Sequence, residues 1–270
     1  MSPGGSPPVQ EPGTQATPTQ LLDVMNVHHL RAIEDENHII AQAQSLGIEA
    51  IGWASNGFQS PEVLQLLHST QSGVVLVNGF MDRAQINKIT AITHVCANLA
   101  HVLNCSADNI ALRFYCGQHS TSQDDLEGPQ GLMRSLVTFL ILGLLQKGCI
   151  SISAPIWLSG FQGDLDQLSF RDICQIFYRL VELVPKGVTI YCIIDGISYY
   201  ERDNFEKEYS LMMECLGSII ASTSAVFKLI LTSATKSRFA SQLQPYQVVS
   251  LRNPRVRRPA RSEDYSRPGF

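Results

Sequence analysis

Charge is what this sequence has least of: Asp, Glu, Lys and Arg make up 16% of its 270 residues, against 44% hydrophobic. That balance supplies a large core and leaves too few charges for a disordered chain, so the sequence reads as globular. Nor is there a basic excess. The formal charge is −4 and the pI near 6.0, whereas a nucleic-acid-binding domain normally has a pI above about 9. Cys-x-x-Cys spacing is absent, and the seven cysteines are scattered singly, mostly within apolar stretches. A dispersed, odd set points to a reducing compartment, with the cytoplasm as the default. The longest apolar run, Leu136 to Leu145, covers ten residues, whereas a membrane-spanning helix needs about 20. The first twenty residues hold no hydrophobic segment of the kind a secretory signal requires. Catalytic and metal signatures are missing as well. His119 has no Gly-x-Ser-x-Gly elbow to serve, and His28, His29 and His94 lack companions at metal-ligand spacing.

What is present is an alternation. Short β-branched runs at Gly73–Val77, Ile110–Cys116, Val188–Ile194, Phe227–Thr232 and Tyr246–Leu251 are separated by segments of helical period at about 90–104, 129–146, 169–184, 204–222 and 235–243. This is the pattern of crossover units building a parallel sheet. Residues 169–184 give the clearest helix, with Ser169 and Asp172 at cap spacing, an apolar face from Phe170 to Val184, and Pro185 beyond its end. Ahead of the first strand, His29–Leu46 reads as one acidic helix closed by Gly47, and Pro61–His68 as a shorter one. The expected organisation is a flexible leader over 1–20, an N-terminal helical segment over 21–70, a core over 71–252 and a flexible Arg/Pro-rich tail over 253–270. That tail, with Arg252, holds six arginines against Glu263 and Asp264, so the rest of the chain is acidic.

Chemistry is expected where strands end. The first strand runs out in Asn78-Gly79 before a helix, the setting in which backbone N–H groups cradle a phosphate. The working loop places a Gly-Lys-Ser/Thr triplet at its end. Here Lys88 follows Asn87 instead of glycine, lies nine positions after Gly79, and Thr90 is displaced by one. Two readings stay open: a phosphate loop with altered spacing, Asn87 supplying left-handed geometry, or an ordinary strand-to-helix connection. The strand Val188–Asp195 ends in a carboxylate at the edge where open α/β sheets bind ligands, and such an acid helps hold Mg²⁺ in phosphoryl transfer. The next acid, Glu201, is six residues on, so hydrolysis is expected to be impaired. Thr232 and Ser233 end another buried strand, placed either to touch a γ-phosphate or to cap the following helix. Gly128-Pro129 marks a helix start, with Arg134 near its first turns as a polar anchor or a solvated side chain. Asp124, Asp125 and Glu127 read as a solvated acidic loop, and His119 as a loop histidine.

The order and spacing of these elements resemble the nucleotide-binding core of the NACHT-like STAND NTPases, particularly degenerate versions in fungal multidomain proteins. The segments Gly128–Leu136 and Cys192-Ile193-Ile194-Asp195-Gly196 are its most specific part, and it covers about residues 60–245. It implies an α/β, three-layer P-loop NTPase-like fold with a mostly parallel five-stranded sheet and a short N-terminal helical lead-in. It further implies that Gly79 and Lys88 stand at the phosphate loop, Asp195 at the Mg²⁺ acid and Thr232 at the γ-phosphate sensor. The sequence departs from the family in lacking the Gly-Lys-Thr triplet and an acid pair after Asp195, and in placing Ala234 where arginine often follows Thr-Ser. Intact members continue into helical, winged-helix and repeat modules, so a stand-alone or truncated core is expected here.

The function expected from these departures is a non-hydrolysing core acting in protein association or signalling, with residual binding of ATP or GTP with Mg²⁺ left open. The alternatives are an active nucleotide-dependent switch, in which Glu201 folds back beside Asp195, and attachment to an anionic surface or nucleic acid through the arginine tail. Protein partners or self-association are the expected partners, with no membrane span.

Overall fold

The computed structural model describes residues 13–79, 88–159, 164–233, 237 and 246–251. Its sheet is built from β2 (Gly73–Asn78), β3 (Asn109–Tyr115), β5 (Thr189–Asp195), β6 (Val226–Ser233) and β7 (Tyr246–Ser250), in the order β3-β5-β6-β2-β7 with every pairing parallel. The first four are almost wholly buried along their length, which is why they read as continuous apolar runs with no polar face.

Helices cover both faces, giving three layers. Alternate side chains of the strands (Val74 and Leu76, Leu112 and Phe114, Cys192 and Ile194) pack with α1 (Pro18–Met25), α7 (Gly128–Gln146), α8 (Phe170–Glu182) and α9 (Glu206–Ser222). The intervening ones (Val75, Val77, Tyr115, Ile193, Ile230) pack with α2 (Arg31–Ala41), α4 (Ile48–Phe58), α5 (Pro61–His68) and α6 (Ala91–Asn104). Hence α6, which follows β2, lies over one face, and the connections out of β3 and β5 lie over the other. A crevice at the carboxyl ends of strands whose connections part in this way is where open α/β sheets bind ligands.

Local signals explain the boundaries. Ser169 accepts from the Asp172 N–H in a capping box that starts α8, and Ser60 accepts from the Val63 N–H ahead of α5, whose first residue is Pro61. At the amino edge of the sheet, Lys228 Nζ donates to Leu67 O (2.6 Å) in the last turn of α5, where a cation meets the negative end of the helix dipole. Desolvation holds this ammonium below its ordinary pKa. Among the described helices α7 is long and apolar enough to span a membrane, yet most of it is buried inside the protein, as fits a core helix.

The leader expected over 1–20 is corrected from residue 13 onward. The strand β1 (Gly13–Ala16) pairs antiparallel with β4 (Ile156–Ser159). Thr17 and Gln20 then form a capping box around Pro18 to start α1, and its Leu21 and Met25 bury in the core with Ala16. A few well-placed apolar residues thus offset the ordering entropy that the Pro/Gly/Thr composition suggested they could not. The expected helix His29–Leu46 is two helices, α2 and a short α3 (Ala43–Leu46), parted at Gln42. Gly47, at φ +78°, ends the second and opens α4, which the sequence reading did not foresee. The helix expected at 235–243 and the arginine tail lie outside the described residues.

Candidate functional site

Gly79, Asp195 and Thr232 come together at the carboxyl ends of three adjacent strands. Gly79 continues the β2–β6 ladder, its N–H donating to Ser233 O at 2.7 Å. Asp195 ends β5, and Thr232 sits near the end of β6 between the two.

Asp195 is 4% exposed, and its carboxyl is enclosed by donors. Thr232 Oγ1 donates to Oδ1 at 2.5 Å, and the Thr93 hydroxyl and the Cys96 thiol lie beside the same carboxyl and favour its charged form. The Gly196 N–H in turn donates to Thr232 Oγ1 at 3.0 Å. Gly196 sits at φ +73°, a left-handed backbone that glycine takes without strain and that turns its N–H back over the threonine. Burial raises the Asp195 pKa above its ordinary value, and the bonds from Thr232, Thr93 and Cys96 pull it partly back.

Thr93 and Cys96 come from the first turns of α6, the helix that follows the candidate phosphate loop. Thr90 caps this helix: its Oγ1 accepts from the Thr93 N–H (3.0 Å), and the Thr90 N–H donates to Thr93 Oγ1 (3.2 Å). The two hydroxyl oxygens are 3.0 Å apart. Side chains from the first turns of α6, not its terminal N–H groups, thus lie beside the Asp195 carboxyl.

Lys88 points elsewhere. Its Nζ donates to Ser120 Oγ at 2.5 Å, and that hydroxyl donates to Gly117 O at 3.0 Å, in the loop after β3. Lys88 itself has φ +60°, a conformation costing about 1–3 kcal/mol for a non-glycine residue. Asn87, at which left-handed geometry was expected, lies outside the described residues. Glu201 engages Ser237 Oγ and Tyr209 Oη, and the Ser237 N–H donates to Asn78 Oδ1 at 3.2 Å.

Beside this site lies a second polar cluster, in which the loop histidine His119 is buried and the expectation of a solvated acidic loop is corrected at Asp124. His119 is 1% exposed, with Nε2 2.9 Å from Asp35 Oδ2 and Nδ1 3.0 Å from Asp124 Oδ2. Arg31 lies 3.6 Å from Asp35 and 3.5 Å from Asp124. An imidazole placed between two carboxylates donates from both nitrogens and so is cationic. Desolvation opposes that charge, but the bonds and charges of Asp35 and Asp124 outweigh it, and the His119 pKa lies above its ordinary value. Asp124, expected as part of a solvated loop, is also penalised by burial. The Leu126 N–H, His119 and Arg31 more than compensate, and its pKa falls. Asp35, on α2, has no sequence signal linking it to this cluster. Thr93 was missed as well, although its place three residues after Thr90 is capping-box spacing.

The segment Gly128–Leu136 anchors this loop and carries no site of its own. A Cβ at Gly131 would lie 2.1 Å from Leu126 O, so α7 and the loop touch backbone to backbone. Arg134 is a polar anchor, donating to Asp125 O at 3.1 Å. Among the described residues no cluster of His, Cys, Asp and Glu is arranged to hold a metal ion. Compared with protein-family models and with curated proteins, the chain matches none.

Proposed function

We propose that the chain is a non-hydrolysing core of the NACHT-like STAND kind, working in the cytoplasm as a protein-interaction or signalling module. The observation that carries this reading is the closure of Asp195. An acid that holds Mg²⁺ must offer free lone pairs to the ion or its water shell. Asp195 is instead 4% exposed, accepts from Thr232 Oγ1, and lies beneath Thr93 and Cys96 of the first turns of α6. Breaking the bond from Thr232 costs about 1.5–3 kcal/mol, before any repacking of the helix. The ammonium of Lys88, committed to Ser120, supports the same reading.

A second reading, residual nucleotide binding, is favoured by the convergence of Gly79, Thr232 and Asp195 at one sheet edge. One experiment separates the two. The full chain is incubated with Mg²⁺-ATP and Mg²⁺-GTP while phosphate release and the unfolding temperature are followed. The leading reading expects no release above that of an Asp195→Asn variant and no stabilisation at millimolar nucleotide. A nucleotide-binding site gives about 2.7 kcal/mol of stabilisation at a hundredfold excess over Kd. Turnover that requires both Mg²⁺ and Asp195 would overturn the non-hydrolysing assignment.

A further inference from the structure

On α8, Arg171, Cys174 and Tyr178 recur at spacings of three and four, as do Leu211, Cys215 and Ser218 on α9, so each set shares one helix face. The two faces line a surface groove of about 540 Å³. Two of the chain's seven cysteines therefore meet there, one from each helix, and both are free thiols. The Cys215 thiol donates to Cys174 O at 3.3 Å. The Cys174 thiol lies beside it, and this neighbour and burial together hold the Cys215 thiol above its ordinary pKa.

Cys174 is 7% exposed and packs with the core, whereas Cys215 is half-buried. A small reagent entering the groove meets Cys215 first. Buried thiols ordinarily serve as small hydrophobes. These two differ because they stand on separate helices and touch. A disulfide fails where Cα atoms are more than about 7 Å apart or the side chains point apart, and here one thiol lies against the other residue's backbone. The 41 positions that separate them carry β5 and its terminal Asp195.

We propose that Cys174 and Cys215 form a modification site that reacts with a low-molecular-weight disulfide and closes into an intramolecular bond between α8 and α9. The Cys215 thiolate attacks one sulfur of the reagent, whose S–S bond breaks, and a mixed disulfide stands on Cys215. The expelled small thiolate takes up the proton that Cys215 gave up. The Cys174 thiolate then attacks the Cys215 sulfur and expels the second small thiolate, which is protonated in turn. Two electrons and two protons thus pass from the protein to the reagent, which leaves as two thiols. Because the Cys215 thiol is held protonated, the first step is slow at neutral pH and quickens in alkali. The bond forms under oxidising conditions and reopens under reducing ones, as disulfides of reducing compartments do. It stands apart from the reading of the Asp195 site and involves no nucleotide.

The reduced full chain is treated with millimolar glutathione disulfide at about pH 8.5, near the ordinary thiol pKa. Remaining thiols are alkylated, and the peptides are mapped by mass spectrometry without reduction. Two of the seven thiols should be lost without added mass, in a peptide pair joined at Cys174 and Cys215. Dithiothreitol should restore them. In Cys174→Ala the reaction should stop at one glutathione on Cys215, and in Cys215→Ser the joined pair should be absent. Cys105, an exposed thiol on another helix end, should take a glutathione adduct and enter no intramolecular bond. The proposal is overturned if Cys174 and Cys215 both stay reduced. A glutathione adduct that persists on Cys215 while Cys174 is present overturns it too, as does a bond from Cys215 to any other cysteine.

Discussion

Two buried polar networks lie side by side at the carboxyl edge of the sheet and solve the same problem in opposite ways. Asp195 is surrounded by two hydroxyls and a thiol, all neutral, and its pKa rises because burial outweighs them. His119 is surrounded by two carboxylates with an arginine behind them, and its pKa rises because those charges outweigh burial. Neutral donors satisfy a buried acid without paying for its charge, whereas opposite charges fix the ionisation of a buried base. The first arrangement closes a site. The second ties α2, which carries Arg31 and Asp35, to the loop after β3 and so clasps the N-terminal helical segment to the core.

The largest test of this contrast is His119→Ala. Removing the cation leaves Asp35 and Asp124 facing each other across a cavity, and urea denaturation should show a loss of about 3–5 kcal/mol near pH 6. The pH profile should change with it. The His119 pKa is raised, so its contribution is whole below the ordinary value of 6.5 and is lost as pH climbs through the folded value. The Asp124 pKa is depressed, so its contribution is whole above 3.8 and is lost as pH falls through the folded value. The cluster therefore stabilises most between about pH 4 and 6.5. The variant should lose the alkaline decline; an unchanged slope would place that decline in other groups.

Thr93→Val is the matching change in the neutral network. It removes one donor to Asp195 and the acceptor of the Thr90 N–H, and a loss of about 1–3 kcal/mol is expected in the same denaturation assay. Because Asp195 has a raised folded pKa, its contribution is whole below 3.8 and is lost as pH rises through the folded value. Losing a donor raises the pKa further, so the variant's deficit should grow from acid toward neutral pH. A deficit constant with pH would show that Thr93 acts only as a helix cap. Smallest of the three is Arg31→Met. The guanidinium is 39% exposed and no closer than 3.5 Å to either carboxylate, which predicts less than about 1 kcal/mol. A loss as large as that of His119→Ala would mean that the arginine holds the pair of carboxylates together.

Much of the sheet was legible because strands buried on both faces announce themselves as apolar runs, and each of the five is found within two residues of its expected ends. The helices at 90–104, 129–146, 169–184 and 204–222 were legible from period and caps. Less visible were β1 and the start of α1, which fell in the expected leader, and β4, which was not singled out; their order comes from β1 meeting β4 and from Leu21 and Met25 reaching the core. The pattern at Gly128–Leu136 was equally visible, but its reason, the backbone contact of Gly131 with Leu126, is not written in the residues themselves.

From the chain alone came the parallel sheet, its covering helices, and the alignment of Gly79, Asp195 and Thr232 at strand ends, because periodicity and burial are properties of neighbouring residues. Which groups those residues face was decided only in three dimensions. Asp35 reaches His119 across 84 positions, and Thr232 reaches Asp195 across 37. Only once β2, β6 and β5 lie adjacent does the first turn of α6 come down beside the carboxyl, so that the strand-ending acid is buried among neutral side chains.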